Sequence, residues 1–540
     1  MALTINFQRL LFKRPLFYQN MEDLFKRLLD YYQISEDDYR LLTMPVSKDN
    51  FYEGHSFKDM DQCVEVVKEA IKQNKKIFIY GDYDADGIMS VSILVKMFSY
   101  LNYPVSYHIP NRYLDGYGLT LKRAEEIVEK GYDLLITVDN GITAFEGIEY
   151  AKKHGLQVLI FDHHQPDEQL PCADYILHPV VSEFGDVATS AGFVTMMFSM
   201  NYLGRLDHYL CTLAAISLVS DMMPLVSYNR NLLRLAIEWY KKESFMSIDL
   251  LKEKEPFNEV SIGMKIAPKI NAIGRLIDDD NYLSRTVEFF TSEDKSLLLN
   301  YNEWINNVNN ERKDITKEAV ENSKDIDVSS PAIVSIIEQK EGIIGLIANN
   351  FVKKYNKPTI IFALDQSGQY LKGSCRAPEG FNVVNAFNQM DDILEAAGGH
   401  AMAGGCTIKR DNYEAFVKRF NELAKNCVVE EVEETVIPLY INDINYDNYL
   451  LIESFSPFGE SWAAPKFRLS RIKASSLMYS RDGQHILTSI GNSARLTGFY
   501  FSKEKMSEYQ FVDMVGTLRI STYYNKTTVE FLISEIINSK

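Results

Sequence analysis

The stretch "KKIFIYGDYDADGIMS", residues 75–90, joins a short apolar run to three aspartates on alternate positions, Asp82, Asp84 and Asp86, and then to Gly87. Residues 75–80 read as a buried strand, and residues 88–101, "IMSVSILVKMFSYL", have helical spacing. Three carboxylates this close repel one another unless a cation or hydrogen bonds offset the charge. The start D-x-D-x-D-G matches the first half of a calcium loop, which needs a bidentate glutamate at its twelfth position. Counted from Asp82, that position is Ile93. A calcium loop is therefore excluded, and another metal chemistry or a structural aspartate turn remains.

The alternation continues outward. Residues 104–110 read as a strand, 119–131 as a helix, 133–139 as a strand, 144–155 as a helix and 156–162 as a strand. Such a βαβαβ series predicts a parallel sheet covered on both faces. Asp139 ends one strand in "TVDNG", and Asp162, His163 and His164 end the next in "FDHHQ". Open α/β sheets bind ligands at the carboxyl ends of their strands, so these motifs converge on one edge. Residues 183–242 read as helices, and the apolar helix 208–221 ends in Asp221. Residues 298–324 form a long polar helix, read as a solvated bridge between two domains. A second α/β unit follows over 331–376, then a helix and the glycine-rich "AGGHAMAGG", residues 397–405. From about Glu430 the segments become short, aromatic and β-branched, which predicts a small β-barrel.

A chain of 540 residues is too long for one core. It contains no apolar run long enough to span a membrane, and residues 1–20 lack the core of a signal peptide. The six cysteines are scattered without a C-x-x-C pair, which fits free thiols in a reducing cytoplasm. The net charge of −17 argues against a protein that coats nucleic acid non-specifically, but it leaves room for a local basic groove.

Asp82, Asp84, Asp86, Asp139, His163 and Asp221 make an oxygen-rich set with one imidazole. Such a set suits Mn²⁺ or Mg²⁺ better than zinc or copper. Five carboxylates exceed the charge of one divalent ion. Two ions sharing a bridging carboxylate balance it better, an arrangement used for phosphate-ester hydrolysis. Taken singly, an aspartate after a strand is often a helix cap or a turn residue. Together, that explanation requires several coincidences at one edge.

The motifs "GDYDADG", "VDNGIT", "FDHHQP" and "VSDMMPL" resemble those of the DHH phosphoesterase superfamily. "PKINAIGRL", "NNERK", "GIIGLIANNF", "KGSCRAPEGF", "GGHAMAGG" and "SPFGESWAAPKF" resemble, in order and spacing, its RecJ branch of single-strand-specific exonucleases. The resemblance implies an N-terminal extension (1–55), a DHH catalytic domain (56–242), a helical connector (243–328), a DHHA1 domain (329–428) and an OB-like nucleic-acid-binding domain (429–540). It implies 5′→3′ degradation of single-stranded DNA to 5′-mononucleotides with two Mn²⁺ or Mg²⁺ ions, in repair and recombination. A single-strand-binding protein or a helicase would be a further partner, and no membrane partner is expected. Carried over by position, Asp139 would bridge the metals, with the first-motif aspartates, His163 and Asp221 as the other ligands. Which of Asp82, Asp84 and Asp86 ligates directly stays open. Asp162 would orient a histidine, and His164 would contact the scissile phosphate or protonate the leaving oxygen. Arg275 would hold a phosphate, joined by Ser374, Arg376 and the glycine loop of Gly398, Gly399 and His400.

The C-terminal region sets Trp462, Phe467, Phe499, Tyr500, Tyr523 and Tyr524 among Lys466, Arg468, Arg471, Lys473, Arg495 and Arg519. OB folds stack bases on aromatics in a basic groove, although many of these rings will be core. Two positions depart from the family pattern. Lys340 stands where a histidine is usual, which keeps a charge able to meet phosphate but loses imidazole proton transfer. "SWAAP" replaces the usual "GNP". Rival readings are a relative acting on short RNA oligonucleotides or cyclic dinucleotides, and a non-catalytic single-strand-binding relative. The first would lack the connector and the barrel; the second would have lost the acidic motifs, which are intact here.

Overall fold

The computed structural model describes residues 17–46, 56–116, 118–185, 187–321, 326–365, 367–425, 435–491, 493–523 and 526–539. They belong to two compact units, Ser47–Glu431 and the two chain ends together, Met1–Val46 with Val432–Lys540. No helix among the described residues is long and apolar enough to cross a membrane.

The larger unit opens with the expected parallel sheet. Its strands β1 (Ile77–Tyr80), β2 (Ser106–His108), β3 (Leu134–Val138), β4 (Gln157–Phe161) and β5 (Tyr175–Leu177) lie in the order β2-β1-β3-β4-β5. All four pairings are parallel. β1 and β3 are buried throughout, as strands covered on both faces must be. The chain reverses its direction of travel across the sheet between β1 and β3. The acidic turn after β1 and Asp139 after β3 thus flank the switch point, where open sheets form a ligand crevice.

The helix Ala85–Tyr100 begins inside the acidic motif. The Asp84 side chain caps it, accepting from the N–H groups of Asp86 and Gly87. Gly87 is required for a close approach: a Cβ there would stand 2.5 Å from the Asp82 carbonyl oxygen. This helix is buried along most of its length and packs against the helices Ala191–Leu203 and His208–Ser220.

The connector contains a five-residue π-helix, Ile262–Ile266, followed directly by Ala267–Leu276. The long helix Lys295–Glu321 is not simply a solvated bridge. Leu298, Ile305, Val308 and Asn309 are buried, and it packs against both Ala267–Leu276 and Glu341–Tyr355. Its polar composition hid one buried stripe.

A second sheet runs β6 (Ile333–Ile336), β7 (Thr359–Leu364), β8 (Tyr370–Arg376), β10 (Ala403–Lys409), β9 (Leu394–His400). The glycine-rich segment, expected as a loop, forms much of the antiparallel pair β9–β10. Gly399 is required there: its φ is +141°, and a Cβ would stand 2.4 Å from the Ala403 carbonyl oxygen.

In the smaller unit six strands run β11 (Ile437–Leu439), β12 (Phe467–Lys473), β15 (Phe511–Tyr523), β16 (Lys526–Asn538), β14 (Ala494–Gly498), β13 (Ile486–Ile490). Among the described residues β11 and β13 remain edges, so the expected barrel is not closed. Helix Phe17–Tyr32 contributes Leu24, Leu28 and Leu29 to this unit's core. Tyr32 stacks on Trp462 with ring centroids 4.2 Å apart, which places Trp462 in the packing. Phe467 is also core. Arg468 pairs with Asp513, and Arg495 and Arg519 pair with Glu530. Phe499 and Tyr500 are 48% and 86% exposed. Tyr524 and the Tyr523 side chain lie outside the described residues.

Candidate active site

The acidic motifs meet at the switch point. His163 Nε2 lies 3.5 Å from Asp86 Oδ2, 3.2 Å from Asp139 Oδ1 and 3.5 Å from Asp221 Oδ2. Ligand atoms of Asp86, His163 and Asp221 form one group within 4.8 Å of one another. Those of Asp82, Asp84 and Asp139 form a second, and Asp139 groups with His163 and His164 as well. Asp139 therefore stands between the two sets. Its φ of +61° is in the left-handed region, which aspartate tolerates better than most residues.

Each carboxylate is aimed by its local structure. Asp86 accepts from the N–H groups of Ala191 and Gly192 at 2.9 Å each and from Ser217 Oγ at 2.6 Å. A helix N-terminus thus supports its negative charge. Asp162 is fully buried. It accepts from the Ile142 N–H at 3.0 Å and from the His163 N–H at 2.7 Å, and its Oδ1 lies 2.8 Å from His164 Nδ1. The histidine that it orients is therefore His164. Asn140 donates to the carbonyl oxygens of Gly81 and Val138 at 2.9 Å, tying the ends of β1 and β3 together. Asn271 of the connector accepts from the Ala85 N–H at 2.8 Å.

The electrostatics call for a cation. Burial, and then the neighbouring carboxylates, push Asp82 and Asp139 well above the usual carboxylate range. Burial and the charges of Asp86 and Asp84 push Asp221 up to about 8. Burial would lower His164, but its bond to Asp162 and the surrounding carboxylates outweigh this and raise it to about 9. Burial dominates at His163 and lowers it. For Asp162 burial acts upward, yet the bonds from His164 and Ile142 hold it well below its ordinary value. Asp82 Oδ1 and Asp139 Oδ1 are buried without a hydrogen-bond partner. Unpaired buried oxygens in an all-oxygen and imidazole donor set fit hard divalent ions. A further group, His108, Asp115 and Asp280, is instead an ion-pair network, with Arg123 2.7 Å from Asp115 and 2.8 Å from Asp280.

The charge of Arg112 reaches Asp82 on this edge, and Arg112 also lines a cleft of about 440 Å³ together with Glu341, Lys372, Ser374, Ala396 and Gly398. Arg376 donates to Ser374 Oγ at 3.2 Å, and Arg275 donates to the Gly342 carbonyl at 2.8 Å. Burial and then the charges of Arg112, Arg376 and Arg312 bring Arg275 down to about 10, so it stays protonated at neutral pH. None of these four arginines is among the ion pairs of the described residues. His400 is exposed at the end of β9. The sequence reading missed Arg112 and Arg312. Arg312 lay inside the quoted "NNERK", but only the fold brings it beside Arg275.

Three family models match in succession: "DHH family, N-terminal domain" over residues 76–218, "DHHA1 domain" over 329–426 and "RecJ OB domain" over 437–535. A single-stranded-DNA-specific exonuclease RecJ of Haemophilus influenzae is 30% identical over 452 residues, covering 76% of this chain and 77% of that protein. The chain belongs to the RecJ family. RecJ of Bacillus subtilis is also 30% identical, over 508 residues and 90% of this chain. The chain spans 64% of that relative's length. RecJ of Thermus thermophilus, solved in complex with Mn²⁺, superposes with a TM-score of 0.79 at 22% identity, covering 91% of this chain and 74% of that one. Another exonuclease RecJ, bound to manganese, superposes at 0.61 with 25% identity, covering 70% of this chain and 98% of that one.

Proposed function

We propose that this chain is a metal-dependent exonuclease that degrades single-stranded DNA from the 5′ end and releases 5′-mononucleotides. The observation that carries the reading is a juxtaposition within one unit. The buried Asp82 and Asp139 oxygens, which accept no hydrogen bond, lie near a group of arginines, Arg112, Arg275, Arg312 and Arg376, that form no ion pair among the described residues. Asp82, Asp84 and Asp139 would hold one Mn²⁺ or Mg²⁺, and Asp86, His163 and Asp221 the other, with Asp139 between them. Bound there, the ions would supply an activated water and stabilise charge on the phosphoryl oxygens. Asp162 fixes the ring of His164, which would contact the scissile phosphate or protonate the leaving oxygen. Arg275, Arg376 and Ser374 would hold the terminal phosphate, since guanidinium groups bind phosphate bidentately. Gly373, Gly398 and Gly405 leave part of the cleft wall without side chains. In the smaller unit Phe499 and Tyr500 offer exposed rings for base stacking. The same reading places the enzyme in the cytoplasm, in DNA repair and recombination, beside a single-strand-binding protein or a helicase.

The test is product analysis with Mn²⁺ on 5′-labelled and 3′-labelled oligonucleotides, single-stranded and blunt duplex. Labelled mononucleotide should come first from the 5′-labelled single strand. First release from the 3′ label, or equal rates on duplex and single strand, would reject the proposal.

A further inference from the structure

Lys340 immediately precedes the helix Glu341–Tyr355 in the second domain. Its Nζ donates to the Leu276 carbonyl at 2.8 Å, lies 3.4 Å from Asp278 Oδ2, and stands 5.6 Å from the centre of the Tyr113 ring. Leu276 is the last residue of the helix Ala267–Leu276, and Arg275 is the one before it. A cation at a helix C-terminus meets the unpaired carbonyls and the negative end of the dipole. Two further contacts converge on the same point. The Tyr113 hydroxyl donates to the Arg275 carbonyl. The Arg275 guanidinium donates to the carbonyl of Gly342, and a Cβ on Gly342 would stand 2.4 Å from the Arg275 carbonyl oxygen. Two segments distant in sequence, the turn after β2 and the start of Glu341–Tyr355, thus clamp the connector at Arg275.

We infer that Lys340 is a positioning residue, which anchors the carbonyl end of the connector helix and so holds Arg275 in place beside Arg112 and Arg376 without itself touching the strand. Its ammonium already has two oxygen acceptors on the connector and a ring face beside it. A phosphate contact would have to compete with these. The inference rests on the proposed role of Arg275 at the terminal phosphate, and its consequence is specific. Loss of Lys340 should damage recognition of the strand end and spare the chemistry.

The experiment compares full-length wild type, Lys340→Met, Lys340→Arg, Arg275→Ala, the Lys340→Met/Arg275→Ala double variant and Tyr113→Phe. Steady-state kinetics with Mn²⁺ are measured on 5′-phosphorylated and 5′-hydroxyl single strands at several salt concentrations. Lys340→Met should raise KM for the phosphorylated strand about tenfold, as expected for a misaimed contact group. It should leave kcat and the 5′-hydroxyl strand little changed, and Lys340→Arg should recover most of the loss. In the Arg275→Ala background, Lys340→Met should add nothing. Tyr113→Phe, which loosens the same helix end, should shift discrimination in the same direction, and it keeps the test decisive if Lys340→Met does not fold. The inference is overturned if Lys340→Met lowers the salt slope of binding by about 0.7, the mark of a lost single-strand phosphate contact. It is also overturned if the two substitutions add, or if Tyr113→Phe leaves end discrimination untouched. Any of these results leaves the exonuclease reading standing. If Arg275→Ala itself preserves the 5′-phosphate preference, the proposed role of Arg275 fails and Lys340 has nothing to aim.

Discussion

The carboxylate edge and the arginine cleft sit in the same unit but are built in opposite ways. The acidic residues of the edge follow strands or sit at helix ends of one domain, and most are placed by the turn that carries them, although Asp86 is also held by Ala191, Gly192 and Ser217. Asp84 caps its own helix, and Asp139 takes a left-handed backbone at the end of β3. The four arginines come from four separate segments: the turn after β2, the connector, the long helix and β8. The edge is therefore a local device repeated at neighbouring strands, whereas the cleft exists only once the domains have packed. A substitution on the edge should abolish chemistry and leave the fold. A substitution in the cleft should change which end and which strand is accepted.

The largest expected effect tests the edge. Asp139→Ala should lower turnover by about 10²–10³-fold or more, the scale on which one preorganised electrostatic group acts. Its carboxylate belongs to the set with Asp82 and Asp84 and lies 3.2 Å from His163 of the other, so its loss would disturb both ions. Isothermal titration with Mn²⁺ should show weakened binding beside the lost activity. Near-normal turnover at micromolar metal would mean that the two sets are not linked through Asp139.

A smaller effect tests the cleft. Arg376→Ala should weaken binding of 5′-phosphorylated strands by about 1.5–3 kcal/mol, the value of a hydrogen bond to a charged group, which is roughly tenfold to a hundredfold. Mn²⁺ affinity should not move, because Arg376 touches none of the donors. Equal losses on 5′-phosphorylated and 5′-hydroxyl strands would show that the cleft grips the strand generally and does not read its end.

The same contrast explains what could be read in the sequence. The parallel sheet was legible because each strand is a short apolar run, and the candidate metal donors because they sit at the ends of those runs or of an apolar helix. Residues whose role depends on convergence were not. Asn140 looks like a turn residue until its amide is seen to tie β1 to β3. Ser217 is one hydroxyl on an apolar helix until it meets Asp86. Arg112 carries no local signature, and the motif around Arg312 does not say what that side chain meets. The glycine-rich segment was misjudged because glycine argues for a loop, while here it allows two strands to approach closely. The C-terminal aromatics were ambiguous for a related reason. Ring content alone could not separate Trp462, stacked on Tyr32, from the exposed Tyr500. That ring partner lies 430 positions earlier in the chain, beyond the reach of any local pattern.

The smallest effect separates the two charge clusters by pH in the absence of metal. Asp221 is pushed up to about 8 and His164 to about 9, while Asp82 and Asp139 are held well above their ordinary values. An unfolded carboxyl titrates near 4 and an unfolded imidazole near 6.5. Between about pH 6.5 and 9 the folded protein therefore binds more protons than the unfolded chain, and its stability must fall as pH rises. Asp162, held low, adds no slope here, while His163, lowered, opposes the decline near the lower end of the window, where an unfolded imidazole still holds part of a proton. Melting temperatures in chelator should thus decline from pH 6.5 to 9. Saturating Mn²⁺ should oppose the decline, since a ligand at a hundred times its Kd adds roughly 2.7 kcal/mol, and its benefit should grow with pH. Asp139→Asn removes one of the crowded charges, so it should raise the melting temperature in chelator and flatten the slope, while the Mn²⁺ benefit shrinks. A flat or rising profile in chelator would mean that the carboxylates are relieved by something other than protons, and the case for a cation-demanding edge would lose its electrostatic basis.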